Sequence, residues 1–367
     1  MGEKNRVLQV NLDGVGGAFS SAKSIQETIK NEYIFDYLSM GRFIDQIAKK
    51  NVQKIGGKVF ELGLRKNRLW GHVVLPLKFF VFLKHNKYEL VQINADTAWK
   101  SLLFVLPAQI AGVKIVIVFS HASGVNGDYF LIKKALHYFC KPILNGMNTR
   151  KVACSMEAAK WMFMRPEDTV IIRNGINIKD FLFDRKVRDI QRKKMDLIGK
   201  YVIGHVTDFS EAKNEDFLLS LFNDLLRVNS AFHLLIIGDG KRRIIYEEKV
   251  KEMNIKNFVT FCGYINDIRL LYNAMDLFLL PSINEGYPMC AVEAQVNGLK
   301  VLLSNQITKE VKISQRTDYL PIDAKKLWID KIIDNIDIRD DRTSEQIDCS
   351  KADVEKTSKQ IADLYKE

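Results

Sequence analysis

Two glutamates, Glu285 and Glu293, stand eight residues apart in a segment that also holds a glycine and a proline. A strand-like apolar segment, residues 276–280, precedes them, and an apolar helical segment follows. The order strand, loop, helix places Glu285 at the C-terminal edge of a sheet, where open α/β sheets bind ligands. We expect Pro288 to be the first helical residue, because its missing N–H costs nothing there. The free amides of that first turn would attract an anion.

The same pair of carboxylates could serve a glycosidase, whose acid and base lie about 5–9.5 Å apart. Eight residues of continuous helix would span about 12 Å, which is too long. A loop conformation at Glu285 would shorten that distance, so the hydrolase interpretation stays open at this point. Each glutamate taken alone is also typical of an ordinary surface residue.

The rest of the chain supplies sheets that would position such a site. Short apolar segments alternate with helical patterns, which is typical of βαβ units and of buried parallel sheets. A chain of 367 residues, 47% apolar, is long enough for two α/β domains. Ten strands are predicted, at residues 7–12, 90–94, 114–119, 152–154, 170–172, 201–206, 233–237, 259–261, 277–280 and 301–303.

The domain boundary is predicted at the turn dipeptide Asn174-Gly175. We predict an N-terminal domain over residues 1–175, a C-terminal domain over residues 176–345, and a polar terminal helix over residues 346–367 that returns to the first domain. Two doubly wound domains would leave a cleft between two C-terminal sheet edges, where nucleotides and their phosphates commonly bind.

Metal, disulfide and membrane-span signals are weak. The five cysteines are scattered without a CxxC pair, and the six histidines lack HxxxH spacing, so no metal site or disulfide framework is expected. Residues 1–6 lead directly into a strand-like segment rather than a secretory signal, which predicts a protein of the reducing cytoplasm. The apolar segment 101–119 contains Pro107 and Lys114, and is predicted as a helix, a turn at Ala111-Gly112 and a buried strand.

The net charge of +11 comes from the first 175 residues, which hold 25 Lys and Arg against 13 Asp and Glu. Such an excess suits a nucleic acid, an anionic membrane surface or an anionic substrate, or is a plain solvated surface. No nucleic-acid-binding signature is present, so no nucleic-acid partner is expected. The aromatic cluster 70–82, with Lys78 and Lys84, is typical of a core but also suits peripheral contact with an anionic membrane.

Eight motifs occur in a characteristic order, at residues 14–18, 119–123, 171–176, 203–206, 209–214, 238–240, 285–293 and 304–311. In order and spacing they resemble the family-4 retaining glycosyltransferases of the GT-B fold, above all those of bacterial exopolysaccharide and capsular polysaccharide synthesis. The resemblance covers nearly the whole chain. It implies an α/β fold with two doubly wound, Rossmann-like domains facing across a cleft, the first on the acceptor side and the second binding a nucleotide sugar.

The resemblance implies roles for residues of the second domain. Glu293 would hold the ribose hydroxyls of the donor, and Glu285 would accept hydrogen bonds from the transferred sugar. Lys213 would pair with the diphosphate, and Tyr264 would lie near the base. The loop between the glutamates would fix the sugar and the distal phosphate through the backbone of Gly286, Tyr287, Pro288 and Met289.

In the first domain, the resemblance implies that Gly16 and Gly17 let a loop approach the phosphate closely. His121 would face the sugar and would form the catalytic group together with Glu285 and Lys213. Without the resemblance, His121 is equally typical of a core histidine, and the glycine pair of a plain βα turn that lacks a full GxGxxG fingerprint.

Two positions depart from the family pattern. Relatives usually carry Gly-Arg where this chain has Thr207-Asp208, and that arginine binds the diphosphate. They also tend to carry Glu where this chain has Phe19. We expect Asp208 to weaken donor binding because it would repel a phosphate, and Arg173 could supply a replacement cation.

The resemblance implies a retaining, metal-independent hexosyltransferase with no cofactor beyond its donor. The donor would be a UDP-sugar, or GDP-mannose as second choice. The acceptor would be a lipid-linked oligosaccharide at the cytoplasmic face of the membrane. Two alternatives remain open: a nucleotide-sugar-binding partner with weak or no transfer activity, which Asp208 suggests, and a sugar-nucleotide epimerase of the same fold.

Overall fold

The computed structural model describes residues 5–64, 69–125, 129–265, 267–336, 342 and 347–366. The described chain divides into two compact units. The first runs through Ile176 and resumes at Asp353, and the second is Asn177–Ala352. Each unit is built around one parallel sheet with its own apolar core.

Parallel strands form both sheets. The first sheet has the order β3-β2-β1-β4-β5-β6-β7 and the second the order β10-β9-β8-β11-β12-β13. The strands are β1 Asn5–Val10, β2 Tyr33–Ser39, β3 Val59–Glu61, β4 Leu90–Ala95, β5 Ile115–Ser120, β6 Arg150–Ala153, β7 Val170–Ile171, β8 Tyr201–Val206, β9 Phe232–Ile237, β10 Val259–Gly263, β11 Leu277–Leu280, β12 Lys300–Ser304 and β13 Thr317–Leu320.

Helices connect the strands in the right order for doubly wound sheets. They are α1 Gly17–Ile29, α2 Gln46–Lys54, α3 Leu69–Asn86, α4 Ala98–Ala111, α5 Phe130–Asn145, α6 Met156–Met162, α7 Ile178–Phe181, α8 Arg185–Lys194, α9 Glu215–Val228, α10 Arg243–Glu252, α11 Arg269–Ala274, α12 Met289–Val296, α13 Lys325–Ile333 and α14 Val354–Lys366.

The strand order reverses once in each sheet, between β1 and β4 in the first unit and between β8 and β11 in the second. Crossover connections leave in opposite directions at such a switch point, so the two loops that follow its strands diverge and open a crevice for ligands. In the second unit these are the loops after Val206 and after Leu280. The prediction of an α/β fold with two doubly wound sheets is confirmed.

The ten predicted strands are all present, with ends that differ by a few residues, but β2, β3 and β13 were not predicted. In β2 the apolar run is interrupted by Asp36, which looks like a surface residue in sequence. The structure buries it completely. Arg6 pairs with it at 2.7 Å, and the Tyr88 hydroxyl donates to it at 2.6 Å. The other two strands are edge strands of three and four residues.

The apolar segment 101–119 folds as predicted. Helix α4 ends at Ala111, Gly112 takes the left-handed conformation with φ +84°, and β5 follows. Within the ranges described, no helix is both long and apolar enough to cross a bilayer.

The terminal helix α14 packs against α1 of the first unit. Tyr365 is buried there, where its hydroxyl donates to Gln92 at 2.7 Å and accepts from Gln9 at 3.2 Å. These bonds join α14 to β4 and β1. The end of the chain is therefore part of the first unit's core.

Candidate functional site

The two loops at the switch point of the second unit bring Lys213 and Glu285 together. Lys213 ends a short 3-10 turn after β8, and Glu285 lies in the loop after β11. The Lys213 Nζ atom is 2.7 Å from Oε1 of Glu285, and the two side chains are only 15% and 16% exposed. Two residues 72 positions apart in sequence thus form one ion pair at the carboxyl edge of the sheet.

Backbone bonds hold these two loops in register. The amide of Ile283 donates to the carbonyl of Ala212 at 2.8 Å, and Nδ2 of Asn214 donates to the carbonyl of Pro281 at 3.1 Å. Asn214 takes the left-handed conformation with φ +61°, which lets the chain turn directly from the lysine into α9. These hydrogen bonds, in addition to the ion pair, therefore hold the two loops together.

Electrostatics keep Lys213 charged. Burial alone would lower its pKa, but the negative charges of Glu285 and Asp208 and the hydrogen bond to Glu285 raise it, and the net change is upward. The neighbouring Cys290 thiol has its pKa raised to about 12, mainly by burial and despite the opposing effect of Lys213. The site thus presents a fixed cation and a neutral thiol at physiological pH.

Glu293 lies in the second turn of α12. The hydroxyl of Tyr272 donates to its Oε2 atom at 2.7 Å. Burial raises the pKa of Glu293 to about 7, although the bond from Tyr272 acts in the opposite direction. Tyr272 was missed in the sequence because it stands in the apolar pattern of α11, where it reads as core. Its hydrogen bond orients the Glu293 carboxylate.

Pro288 was predicted as the first helical residue, and that prediction is wrong by one position. Helix α12 begins at Met289, and Pro288 is its N-cap, with φ −70° and ψ 104°. The proline carbonyl accepts from the amides of Ala291 and Val292 at 3.1 and 3.4 Å. The ring fixes φ at a value that an extended N-cap tolerates as well as a helix does. The loop residues from Gly286 to Met289 are all buried.

Thr207 and Asp208 form a tight turn at the end of β8. The buried Thr207 hydroxyl donates to Glu215 and accepts from the amide of Phe209 at 2.7 Å. Asp208 is exposed, and its carboxylate accepts from the amide of Ser210 at 2.9 Å. Asp208 is still near enough to contribute to the raised pKa of Lys213. The carboxylate therefore caps its own turn while remaining beside the cation.

The glycines of residues 238–240 pack the loop after β9 onto this turn. A Cβ atom on Gly238, at φ +127°, would lie 1.7 Å from the carbonyl oxygen of Thr207. A Cβ atom on Gly240 would lie 1.9 Å from that of Asp208. This packing is that of a structural turn. Arg242, just beyond this segment, lies 3.6 Å from Glu211 and adds a cation beside the same loop. No motif in the sequence marks it.

Tyr264 directly follows β10 and is half exposed. Its strand is one of the two edge strands of the second sheet, separated from β8 by β9. Tyr264 is thus on the same carboxyl edge as Lys213, two strands away from it. Its predicted position near a nucleotide base stays a prediction.

In the first unit, Gly16 is the N-cap of α1 and Gly17 its first residue. A Cβ atom on Gly16 would meet nothing within 4 Å, but φ is +85°, so the backbone conformation itself favours glycine. Phe19, where relatives tend to carry Glu, is buried and packs edge-on against Tyr37 and Phe43. That position is therefore part of the core in this chain.

His121 follows β5, and its ring orientation is set by Asn94. The amide nitrogen of Asn94 donates to Gln9 and to the carbonyl of Val10, so its Oδ1 atom is left to face Nε2 of His121 at 3.0 Å. Because this oxygen can only accept, Nε2 carries the proton and Nδ1 is an acceptor. Nδ1 is buried with no hydrogen-bond partner among the described residues.

Burial also lowers the pKa of His121 to about 4, and its ring stacks on Phe119 with centroids 4.3 Å apart. The imidazole is therefore neutral at physiological pH. It presents an acceptor nitrogen, the form that can accept a hydrogen bond from a hydroxyl group. No group of three or more His, Cys, Asp or Glu side chains that could hold a metal ion is found in the part of the chain that is described.

Comparison with known proteins gives consistent results. Residues 187–317 match the family model "Glycosyl transferases group 1". The chain is 31% identical over 322 residues to the putative glycosyltransferase EpsF of Bacillus subtilis, covering 84% of this chain and 81% of EpsF. It is 25% identical over 240 residues to the UDP-Gal:alpha-D-GlcNAc-diphosphoundecaprenol alpha-1,3-galactosyltransferase of Escherichia coli, covering 62% of this chain and 61% of that protein.

The fold matches a solved structure of HepE from Anabaena in complex with UDP and glucose. The TM-score is 0.78 at 18% identity, with 99% of both chains covered. This match supports the fold, and the resemblance drawn from the motifs is confirmed. The identity to EpsF over most of both chains shows that the protein belongs to the group 1 family of glycosyl transferases.

Proposed function

We propose that the protein transfers a hexose from a nucleotide sugar to a lipid-linked oligosaccharide, with retention of anomeric configuration. The observation that carries the proposal is the ion pair of Lys213 and Glu285 at the switch point of the second sheet. A charged lysine, a carboxylate and a helix N-terminus converge there, and such a set suits a ligand that is part anion and part polyol.

The diphosphate would bind to the positive side of this set. As the glycosidic bond breaks, negative charge accumulates on the leaving diphosphate, and fixed donors aimed at that charge lower the barrier. Lys213 stays protonated, and the amides of the first turn of α12 add the positive end of a helix dipole. In this proposal these groups take the place of a divalent metal ion.

The two glutamates would bind the hydroxyl groups of the donor. Glu285 would accept from the transferred sugar next to the diphosphate. Glu293, in the second turn of α12, would accept from the ribose hydroxyls. The two oxygens of a carboxylate can accept hydrogen bonds from two adjacent hydroxyl groups. The acid and base of a hydrolase would not need to bind adjacent hydroxyl groups in this way.

Retention would follow from a same-face reaction. The bond between the anomeric carbon and the phosphate oxygen breaks, the acceptor oxygen bonds to the same face of that carbon, and the acceptor proton passes to the leaving phosphate oxygen. His121, a neutral acceptor in the first unit, would accept from a sugar hydroxyl.

Donor and acceptor classes are proposed from the relatives. The Escherichia coli relative uses UDP-galactose and a diphosphoundecaprenol-linked sugar, as its name states. We therefore propose a UDP-sugar before GDP-mannose, and a lipid-diphosphate-linked glycan of bacterial exopolysaccharide or capsule synthesis. Such an acceptor would lie at the cytoplasmic face of the membrane.

Calorimetric titration with UDP-glucose, UDP-galactose and GDP-mannose tests the donor, and transfer to a synthetic lipid-diphosphate sugar tests the reaction. Glu285→Gln should lower transfer by about 100-fold or more. Glu248→Gln, an exposed glutamate on α10, should leave it unchanged. Lack of binding to every nucleotide sugar would contradict the proposal.

A second candidate, a nucleotide-sugar-binding protein without transfer activity, is favoured by the exposed Asp208 beside Lys213. Tight donor binding with neither transfer nor donor hydrolysis, across a panel of lipid-linked acceptors, would favour this candidate. Conversion of the donor into another nucleotide sugar without acceptor would instead indicate an epimerase.

A further inference from the structure

Helix α5 exposes an apolar surface instead of burying it. Its buried side chains are His137, Cys140 and Leu144, whereas seven large apolar side chains of this 16-residue helix are exposed. Leu131 and Phe139 are 67% and 71% exposed. A helix that exposes this much apolar surface is normally covered by protein or lipid.

The neighbouring helices also expose apolar side chains, and α4 packs against both α3 and α5. Helix α3 adds four exposed large apolar side chains, including Trp70 at 74%, and α4 adds two, including Ile110. We call the exposed large apolar side chains of α3, α4 and α5 the apolar face. Contiguous exposed apolar surface of this kind marks an interaction site in soluble proteins.

The charge around the apolar face has one sign. The three helices contain six lysines and no Asp, Glu or Arg. Lysines can lay their aliphatic stems on apolar surface and extend their ammonium groups to a surrounding anionic layer. Trp70 and Tyr138 are residue types that concentrate at the boundary between lipid and water.

We propose that the apolar face docks the protein onto an anionic phospholipid bilayer, with α5 lying in the headgroup layer. A 16-residue helix is about 24 Å long, short of the roughly 30 Å hydrocarbon core, so α5 would lie along the surface. The centre of a protein interface is depleted in lysine, and two copies joined at this face would bring like charges together. Both points favour lipid over a protein partner. This proposal rests on the proposed function, because membrane binding would bring the protein to a lipid-linked acceptor in such a bilayer.

Vesicle flotation of the full-length protein tests the proposal. Wild-type protein should float with phosphatidylcholine vesicles that contain 30% phosphatidylglycerol, and less with phosphatidylcholine alone. Leu131→Gln with Phe139→Gln should weaken binding by about 100-fold, because two exposed side chains that would enter the lipid are lost. Ile198→Gln with Ile244→Gln, equally exposed positions of the second unit, should change nothing.

A charge series tests the electrostatic part. Lys133→Glu with Lys134→Glu on α5 should weaken binding to the anionic vesicles by roughly 30-fold or more. Lys356→Glu with Lys359→Glu makes the same change of charge on exposed positions of α14 and should have little effect. Brominated lipids should quench Trp70 fluorescence, and Trp70→Phe should remove that quenching.

Three results would overturn the proposal: no wild-type binding to either vesicle, equal binding of the α5 variants and wild type, or a dimer in solution that the α5 variants dissociate. Titration of the same samples with a UDP-sugar distinguishes a failure of the membrane proposal from a failure of the proposed function. Loss of flotation with unchanged donor affinity concerns only the apolar face. Failure of donor binding with normal flotation concerns only the proposed reaction.

Discussion

Nζ of Lys213 lies 2.7 Å from Oε1 of Glu285, and this pair joins the loops after β8 and β11 where the strand order reverses. Because both groups are largely buried, removing one leaves the other charge without its partner. We expect Lys213→Met and Glu285→Gln each to lower the free energy of unfolding by about 2–3 kcal/mol. The double variant should lose clearly less than the sum.

Urea denaturation of the four proteins gives the coupling energy. The exposed pair of Lys114 and Glu89, 2.9 Å apart with side chains 69% and 72% exposed, is a matched control. Its coupling should stay below about 1 kcal/mol. If the Lys213 pair shows no more coupling than this control, the two loops are not held together by that ion pair.

Donor binding should depend on pH through Glu293. The pKa of this group is raised to about 7, so the carboxylate that would accept from the ribose is fully present only above that value. We predict that the affinity for an intact UDP-sugar rises as the pH increases from 6 to 8 and then levels off. The diphosphate of an intact nucleotide sugar does not titrate in this range. Glu293→Gln should bind more weakly and without this dependence.

Substitution of Tyr272 provides a second test of the pH dependence of donor binding. Its hydroxyl donates to Glu293 and lowers the pKa of that carboxyl against the larger effect of burial. Tyr272→Phe removes the bond, so the midpoint of the affinity curve should move to higher pH. Calorimetry at five pH values measures the midpoint, and a shift to lower pH would show that Tyr272 does not act through Glu293.

The sequence could predict most of this arrangement, since local patterns determine it. Continuous apolar runs predicted the central strands, and the Gly/Pro loop before an apolar helix placed Glu285 at the sheet edge. The bond between Tyr272 and Glu293 could not be predicted, because it joins different helices and the tyrosine stands in a core-like pattern. The burial of Asp36 was likewise hidden, because Arg6 and Tyr88, which compensate its charge, are distant in sequence.

Asp208 should reduce donor affinity, because it is an exposed carboxylate beside the proposed phosphate site. Asp208→Asn keeps an oxygen that can accept from the Ser210 amide but removes the charge. We expect roughly two- to five-fold tighter UDP-sugar binding, with the gain shrinking at high salt. Asp323→Asn, another exposed aspartate of the second unit, is the control. Unchanged affinity for Asp208→Asn would show that this charge does not act on the donor.

Gly240 is required because the loop after β9 approaches the Asp208 carbonyl closely. A Cβ atom there would lie 1.9 Å from that backbone oxygen, so Gly240→Ala must push the two loops apart. We expect a loss of about 1–3 kcal/mol in the free energy of unfolding and weaker donor binding. Gly146→Ala should be nearly neutral, because its Cβ would make only ordinary contacts beyond 3.5 Å. Equal stability of the two variants in urea denaturation would contradict this explanation.

We expect a nucleotide sugar to bind at the carboxyl edge of the second sheet, between the loops after β8 and β11. A crystal structure of the protein with an unhydrolysed UDP-sugar tests it most directly. We predict diphosphate oxygens within about 3 Å of Lys213 Nζ, sugar hydroxyls hydrogen-bonded to Glu285 and ribose hydroxyls hydrogen-bonded to Glu293. A nucleotide sugar bound elsewhere, with the Lys213–Glu285 pair unchanged and untouched, would contradict it.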